Sequence, residues 1–232
     1  MTIDDYILSH ISPEDDYLYR LYRATNVHLL YGRMASGHLQ GRLLKMIVEM
    51  TGARNILEVG TFSGYSAICL AKGLSENLKS CSTSLYPQTS PHKESAVPPL
   101  FSRVITYEIN DELEPFTRPW IEGSDVGGLI DFRIGDALEE APKLGVEFDL
   151  VFLDGDKRRS VEAYEMAMSV TRKGGYIVAD NTLWDGHVLE EPQAADRQTR
   201  GITAFNDHVR DDKRVEVVIL PLRDGLTLIK KV

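Results

Sequence analysis

Between Phe148 and Trp184 the chain carries two apolar runs, Asp149-Leu-Val-Phe-Leu-Asp154 and Gly175-Tyr-Ile-Val-Ala-Asp180, and each ends in a carboxylate. In an open parallel sheet, ligands bind outside the carboxyl ends of the strands, so two acidic strand ends would face one shared crevice. Asp154, Asp180 and Asn181 offer only oxygen ligands there. That set suits a hard divalent cation such as Mg2+, which keeps several waters and binds through one or two carboxylates. Lys157 is the nearby group able to act as a base. Taken singly, Asp154 caps a helix as readily as it holds an ion; the chemistry lies in the set.

The rest of the chain supplies support for that crevice. Ser12-Pro13-Glu14-Asp15 predicts a helix start, with Ser as N-cap and Pro at the first helical position, running to about Asn26. Tyr17, Leu21, Ala24 and His28 form its expected face. A second helix is expected over 37–50, with Leu39, Leu43, Ile47 and Met50 inward and Gly52 as the stop. The linker Arg33 to His38 is short and apolar enough to fold over a pocket. From Asn55 the pattern becomes a buried strand (Ile56-Leu-Glu-Val59), a glycine turn (Gly60-Thr-Phe-Ser-Gly64) and a helix from Tyr65 to Leu74. The turn is neither the dinucleotide fingerprint, lacking its middle glycine, nor a P-loop, lacking Gly-Lys-Ser/Thr. A ligand without phosphates fits better.

The next strand, Val104 to Tyr107, ends in Glu108, a carboxylate placed to grip the two hydroxyls of a ribose. Residues 75–102 intervene as an insertion rich in Ser, Thr, Pro and Lys, read as a mobile loop with no direct chemistry. A helix over 111–121 and a strand over 129–134 lead to Gly135-Asp136-Ala137. A helix over 157–171, with Val161, Tyr164 and Met168 inward, ends at Gly174-Gly175. One more helix is expected near 202–210. Strands 215–220 and 226–230 flank Arg223-Asp224-Gly225, a hairpin signal. The sheet is therefore mostly parallel with an antiparallel finish, in a single domain over 1–232, with 1–52 as a helical cover.

Composition excludes several classes of protein. The net charge of -9 argues against a general nucleic-acid or anionic-membrane surface; Arg197, Arg200 and Arg210 are the candidates for a local basic patch. The two cysteines, Cys69 and Cys81, are too few for a disulfide framework and suit a reducing cytoplasm. Met-Thr-Ile-Asp-Asp at the start has no apolar stretch of the signal-peptide kind. No apolar run approaches the ~18 residues of a membrane span. His38 and His187 lie near the site but are read as structural.

Glu58-Val-Gly-Thr-Phe-Ser-Gly-Tyr-Ser66, Asp154-Gly-Asp-Lys157, Asp180-Asn-Thr-Leu-Trp184 and Pro221-Leu-Arg-Asp-Gly225-Leu resemble the cation-dependent O-methyltransferases, the group that includes caffeoyl-CoA and catechol O-methyltransferases. The resemblance runs from about Met34 to the C-terminus, interrupted by the insertion. It implies an α/β, Rossmann-like class I fold with a seven-stranded, mostly parallel sheet, an antiparallel C-terminal hairpin and extra N-terminal helices.

By the same resemblance the cofactor is S-adenosylmethionine (SAM). Its methionine end lies on Gly60, Thr61, Phe62 and Ser66, its ribose on Glu108, and its adenine beside Asp136 and Ala137. Met34 and Ser36 close over it, and Glu58 and Asp154 line the same site. The resemblance makes Asp154, Asp180 and Asn181 ligands of Mg2+, with Mn2+ or Ca2+ as alternatives, and Lys157 the general base. Asp156 and Trp184 fall on the substrate side. It implies a small hydroxylated acceptor, catechol-like or phenolic, and a homodimer touching through the N-terminal helix or the final hairpin. Two other readings stay open: methylation of a hydroxylated tRNA base by the same chemistry, and a non-catalytic SAM-binding protein of this fold.

Overall fold

The computed structural model describes residues 1–82, 102–190 and 195–232. Helices α1 (Ile3–His10), α2 (Asp16–His28) and α3 (Gly37–Thr51) precede β1 (Asn55–Val59). Then come α4 (Tyr65–Ser82), β2 (Arg103–Glu108), α5 (Glu114–Glu122), β3 (Ile130–Ile134), the single turn α6 (Ala137–Glu140) and β4 (Phe148–Leu153). The chain finishes with α7 (Ser160–Val170), β5 (Thr171–Asp180), α8 (Arg197–Asp211), β6 (Val215–Leu220) and β7 (Leu226–Lys231). The seven strands form one sheet in the order β3-β2-β1-β4-β5-β7-β6. The first five pair in parallel, and β7 runs antiparallel to both β5 and β6. No helix among the described residues is long and apolar enough to cross a membrane.

The apolar runs of the central strands are explained by helices on both sheet faces. Leu150, Phe152 and Val178 join one core cluster with residues of α2, α3 and α4. Val151, Leu153, Ile177 and Ala179, one step along the same strands, join a second with residues of α7 and α8. Successive side chains alternate faces, so a strand covered on both sides reads as apolar throughout. Strand order reverses direction between β1 and β4, which opens a crevice at their carboxyl ends.

Several local expectations are corrected. Helix α1 was not foreseen; Thr2 and Asp5 form a reciprocal capping box at its start. Helix α2 is capped by Asp15, whose carboxylate accepts from the N–H groups of Tyr17 and Leu18, and not by Ser12. The Ser12 and Pro13 carbonyls instead accept from His38 and Arg42. The buried face of α3 is Gln40, Gly41, Leu44, Ile47 and Val48, one step from the expected stripe, and Met50 is exposed. The reason is close contact with α4, where Gly41 lies against Tyr65 and Cys69, so a small residue marks the seam. Helix α4 continues to Ser82, which makes 75–82 helix where a loop was expected. Asn77 ties the added turns down by donating to the carbonyls of Val48 and Ala53. The remainder of the expected mobile insertion, 83–101, lies outside the described residues. Helix α7 ends at Val170 and β5 starts at Thr171, so Gly174-Gly175 falls inside the strand segment. Helix α8 starts earlier than expected, at Arg197, where Asp196 accepts from the N–H of Thr199.

Candidate active site

The carboxyl ends of β1, β2, β4 and β5 converge. Gly60 has φ 97°, and a Cβ there would run into the backbone oxygen of Asp154, so only glycine lets the first turn pass this close to the end of β4. The Asp154 N–H donates to the Val59 carbonyl at 2.8 Å, and the N–H groups of Gly60 and Thr61 share the Tyr107 carbonyl at 2.9 and 3.2 Å. Those bonds lock the glycine turn between β2 and β4.

Two carboxylates stand behind the turn. Glu58 is fully buried and faces Thr106, its register partner on β2, whose hydroxyl donates to it. Thr106 in turn meets the Thr61 hydroxyl at 2.6 Å. Burial pushes Glu58 up to about 8, opposed by hydrogen bonds from Ser66 and Thr106, while its Oε1 has no partner. Glu108 accepts from the Phe62 N–H at 2.8 Å on one oxygen and from the Asn110 N–H at 2.9 Å on the other. Both oxygens keep a free lone pair. Asp136 caps α6 through the Leu138 N–H at 2.9 Å and pairs with Arg159 at 2.7 Å, beside buried Ala137. Its carboxyl is held below the usual range by Arg159 and the Leu138 N–H, against an opposing desolvation effect.

Across the crevice, Lys157 Nζ lies 2.8 Å from Asp154 Oδ1 and 3.2 Å from the Asp180 carbonyl oxygen. Leu153 and Ala179 are register partners, so Asp154 and Asp180 leave the sheet side by side. Burial pushes Asp154 up to about 6; Lys157 opposes this and the neighbouring Asp180 charge adds to it. Asp180 accepts from the Asn181 N–H at 2.8 Å on Oδ1 and from Gln40 Nε2 at 2.6 Å on Oδ2. Lys157 sits in a tight turn rather than in α7, and α8 crosses that turn at Gly201, where a Cβ would strike the Lys157 carbonyl.

Six non-glycine residues among the described ones have positive φ: Tyr31, Phe62, Asn181, Trp184, Asp185 and Arg223. Five of them lie in the glycine turn or the loops above the crevice and Tyr31 lies just before the linker, so the backbone strain is concentrated around the segments where the sequence places the chemistry.

The remaining expected residues are placed less centrally. Ser36 is buried, whereas Met34 is 56% exposed. Asp156 is paired with Arg158 at 2.5 Å and caps the Lys157 turn. Trp184 is half-buried, and its backbone N–H donates to the Asp224 carbonyl at 3.2 Å. His38 bonds to the Ser12 carbonyl at 2.8 Å, and His187 lies 3.4 Å from the Glu190 carboxylate. Sequence reasoning missed Gln40, Thr106 and Arg159, and gave Arg223 no role. A polar residue one step off an apolar stripe, as Gln40 is, carries no signal of its own. A cavity of about 300 Å³ between α2, α3 and α4 is lined by none of the expected site residues.

The sequence model of the O-methyltransferase family matches residues 8–90 and 94–232. The chain belongs to the O-methyltransferase family. It is 30% identical over 229 residues to tricin synthase 2 of Oryza sativa subsp. japonica, covering 94% of this chain and 70% of that protein. Over 204 residues it is 30% identical to caffeoyl-CoA O-methyltransferase 2 of Zea mays, covering 83% of this chain and 68% of the relative. The crystal structure of the O-methyltransferase TomG from Streptomyces achromogenes, in complex with SAM, superposes with a TM-score of 0.80 at 26% identity, covering 99% of this chain and 96% of that one. This family member is thus a SAM-dependent O-methyltransferase, with the seven-stranded sheet and antiparallel finish of the class I fold.

Proposed function

We propose that this O-methyltransferase moves the methyl group of SAM to a hydroxyl of a small catechol-like or phenolic acceptor, assisted by a divalent cation held by Asp154, Asp180 and Asn181. The observation that carries the proposal is the convergence of Asp154, Asp180 and Lys157 at the ends of β4 and β5. The donor set fits such a cation. It is oxygen-only, Asp180 keeps one lone pair free on each carboxylate oxygen, and burial leaves Asp154 short of counter-charge. Mg2+ suits it best, with Mn2+ and Ca2+ as alternatives. Bound there, a cation lowers the pKa of an acceptor hydroxyl and fixes its position.

The residues of the chain supply the remaining steps. Lys157, once its ammonium proton has passed to solvent, takes the hydroxyl proton at Nζ. The glycine turn from Gly60, with Thr61, Phe62 and Ser66, holds the methionine end of SAM, the source of the electrophilic methyl. The free lone pairs of Glu108 receive the ribose hydroxyls, and Asp136 and Ala137 flank the adenine. Met34 and Ser36 close the linker over the cofactor, and Glu58 braces the turn from beneath. Holding both reactants in line contributes up to ~7–11 kcal/mol. Trp184 and Asp156 form the acceptor rim, with Asp156 held in place by Arg158.

The reading includes a homodimer in the cytoplasm. The edge strand β6 supports the dimer, since Val217, Val218 and Ile219 are 41%, 50% and 41% exposed and uncovered apolar edges invite pairing. The acceptor class is tested with matched acceptors under saturating SAM and Mg2+: a catechol, its mono-hydroxyl analogue, a caffeoyl ester and a hydroxylated tRNA nucleoside. The vicinal diols are expected to turn over fastest. Methylation confined to the nucleoside would overturn the acceptor assignment.

A further inference from the structure

Gln40 joins the two halves of the site. Its side chain is on α3, 1% exposed, and belongs to neither expected ligand set. The Arg223 guanidinium carries only donors, so the Gln40 Oε1 faces it, at 3.2 Å. That turns the amide nitrogen toward the acceptor-only Asp180, whose Oδ2 it meets at 2.6 Å. The same nitrogen lies 3.5 Å from the Ser36 hydroxyl. Arg223 also donates to the carbonyls of Ser36 and Arg33, which bracket Met34. One buried amide therefore touches both the linker and an acid of the cation set. An amide fixes Asp180 without cancelling its charge, as a lysine would; Arg223 contributes its charge from one residue back.

We infer that Gln40, oriented by Arg223, is a positioning residue that couples closure of the Met34–Ser36 linker over the cofactor to the geometry of Asp180. The inference rests on the proposed cation and SAM assignments. When the linker is drawn down, Ser36 and Arg223 are fixed, the amide is locked, and the Asp180 oxygens point where a cation needs them. Linkage makes the effect reciprocal, so a bound cation tightens cofactor binding by the same factor.

The test measures Mn2+ binding by the loss of the free-ion paramagnetic resonance signal, with and without S-adenosylhomocysteine, and binding of that nucleoside by calorimetry with and without Mn2+. Wild type is expected to show the same enhancement in both directions, at least about fivefold, the lower end of typical coupling. In Gln40→Met, which keeps the shape and loses the donor, coupling is expected to fall below about twofold while nucleoside affinity without metal stays within about twofold, a partition that linkage allows. Arg223→Lys is expected to do the same, since one ammonium cannot bridge the three acceptors. At saturating Mg2+ and SAM the kcat of Gln40→Met should stay within about threefold, with the loss in KM, the signature of binding rather than transition-state effects. Thermal unfolding of each variant establishes that it is folded. Undiminished coupling in folded Gln40→Met, or no coupling in wild type that binds both ligands, would overturn the inference. Wild type that binds no Mn2+ would instead overturn the cation reading beneath it.

Discussion

Lys157 Nζ sits 2.8 Å from Asp154 Oδ1, both side chains mostly buried at the end of β4. The lysine fills part of the charge deficit of the carboxylates, and in the proposed reaction its amine faces the acceptor hydroxyl from the same place. Replacing it separates chemistry from binding. Lys157→Ala is expected to lower kcat by roughly 10²–10⁴-fold, the usual range for a lost general base, with SAM affinity little changed. Lys157→Arg should not rescue it, because a guanidinium does not release its proton. Single-turnover kinetics beside calorimetric SAM binding checks both.

Gly60→Ala attacks both halves at once. The added methyl meets the Asp154 carbonyl oxygen and the residue must hold φ 97°, so the turn and the end of β4 must move apart. A loss of about 2 kcal/mol or more is expected from the clash and the left-handed strain. Urea unfolding measures it, and SAM binding should weaken in parallel.

Glu58 gives a pH signature. Its native value, raised to about 8 by burial, stands above the ordinary unfolded value near 4.3. The native state therefore holds a proton that the unfolded state has released. The stabilisation from this group is full below the unfolded pKa and is lost as pH rises toward about 8. Glu58→Gln removes the titration, so its melting temperature relative to wild type should climb from pH 5 to pH 8, as read by calorimetry. A difference independent of pH would mean that Glu58 is charged when buried.

Asp149, at the opposite end of the same strand as Asp154, serves as a contrast. It accepts from the N–H groups of Arg54 and Asn55, both at 2.9 Å, and from Arg172 at 2.5 Å. Its carboxyl is held below the usual range by those partners despite burial. Asp149→Ala is expected to cost about 1–3 kcal/mol, as the N–H groups of Arg54 and Asn55 lose their acceptor, with kcat at 25 °C unchanged. Paired unfolding and steady-state assays separate it from the site acids.

Much of this molecule was legible in the chain because strand cores and strand ends obey local rules. An apolar run closed by Asp154 or Asp180 announces a doubly covered strand and a crevice at its end, and both stand where expected. The helix faces were less legible. Gly41 set the seam of α3 on α4, and an apolar count shifted it by one position. The length of α4 depended on Asn77 reaching the end of α3, a contact between residues distant in sequence. Gln40 and Arg223 were invisible as functional residues for the same reason. Their meaning comes from a hydrogen-bond chain linking positions 183 residues apart, and neither residue type is distinctive where it stands.

The dependence of methyl transfer on a cation held by Asp154, Asp180 and Asn181 underlies the whole proposed reaction. Its most direct test is transfer from labelled SAM to a catechol acceptor by the wild-type protein, first in EDTA and then after Mg2+ is restored, with SAM binding measured in both conditions. Turnover is expected nearly to vanish in EDTA and to return with Mg2+, while SAM stays bound throughout. Full activity in EDTA would contradict it.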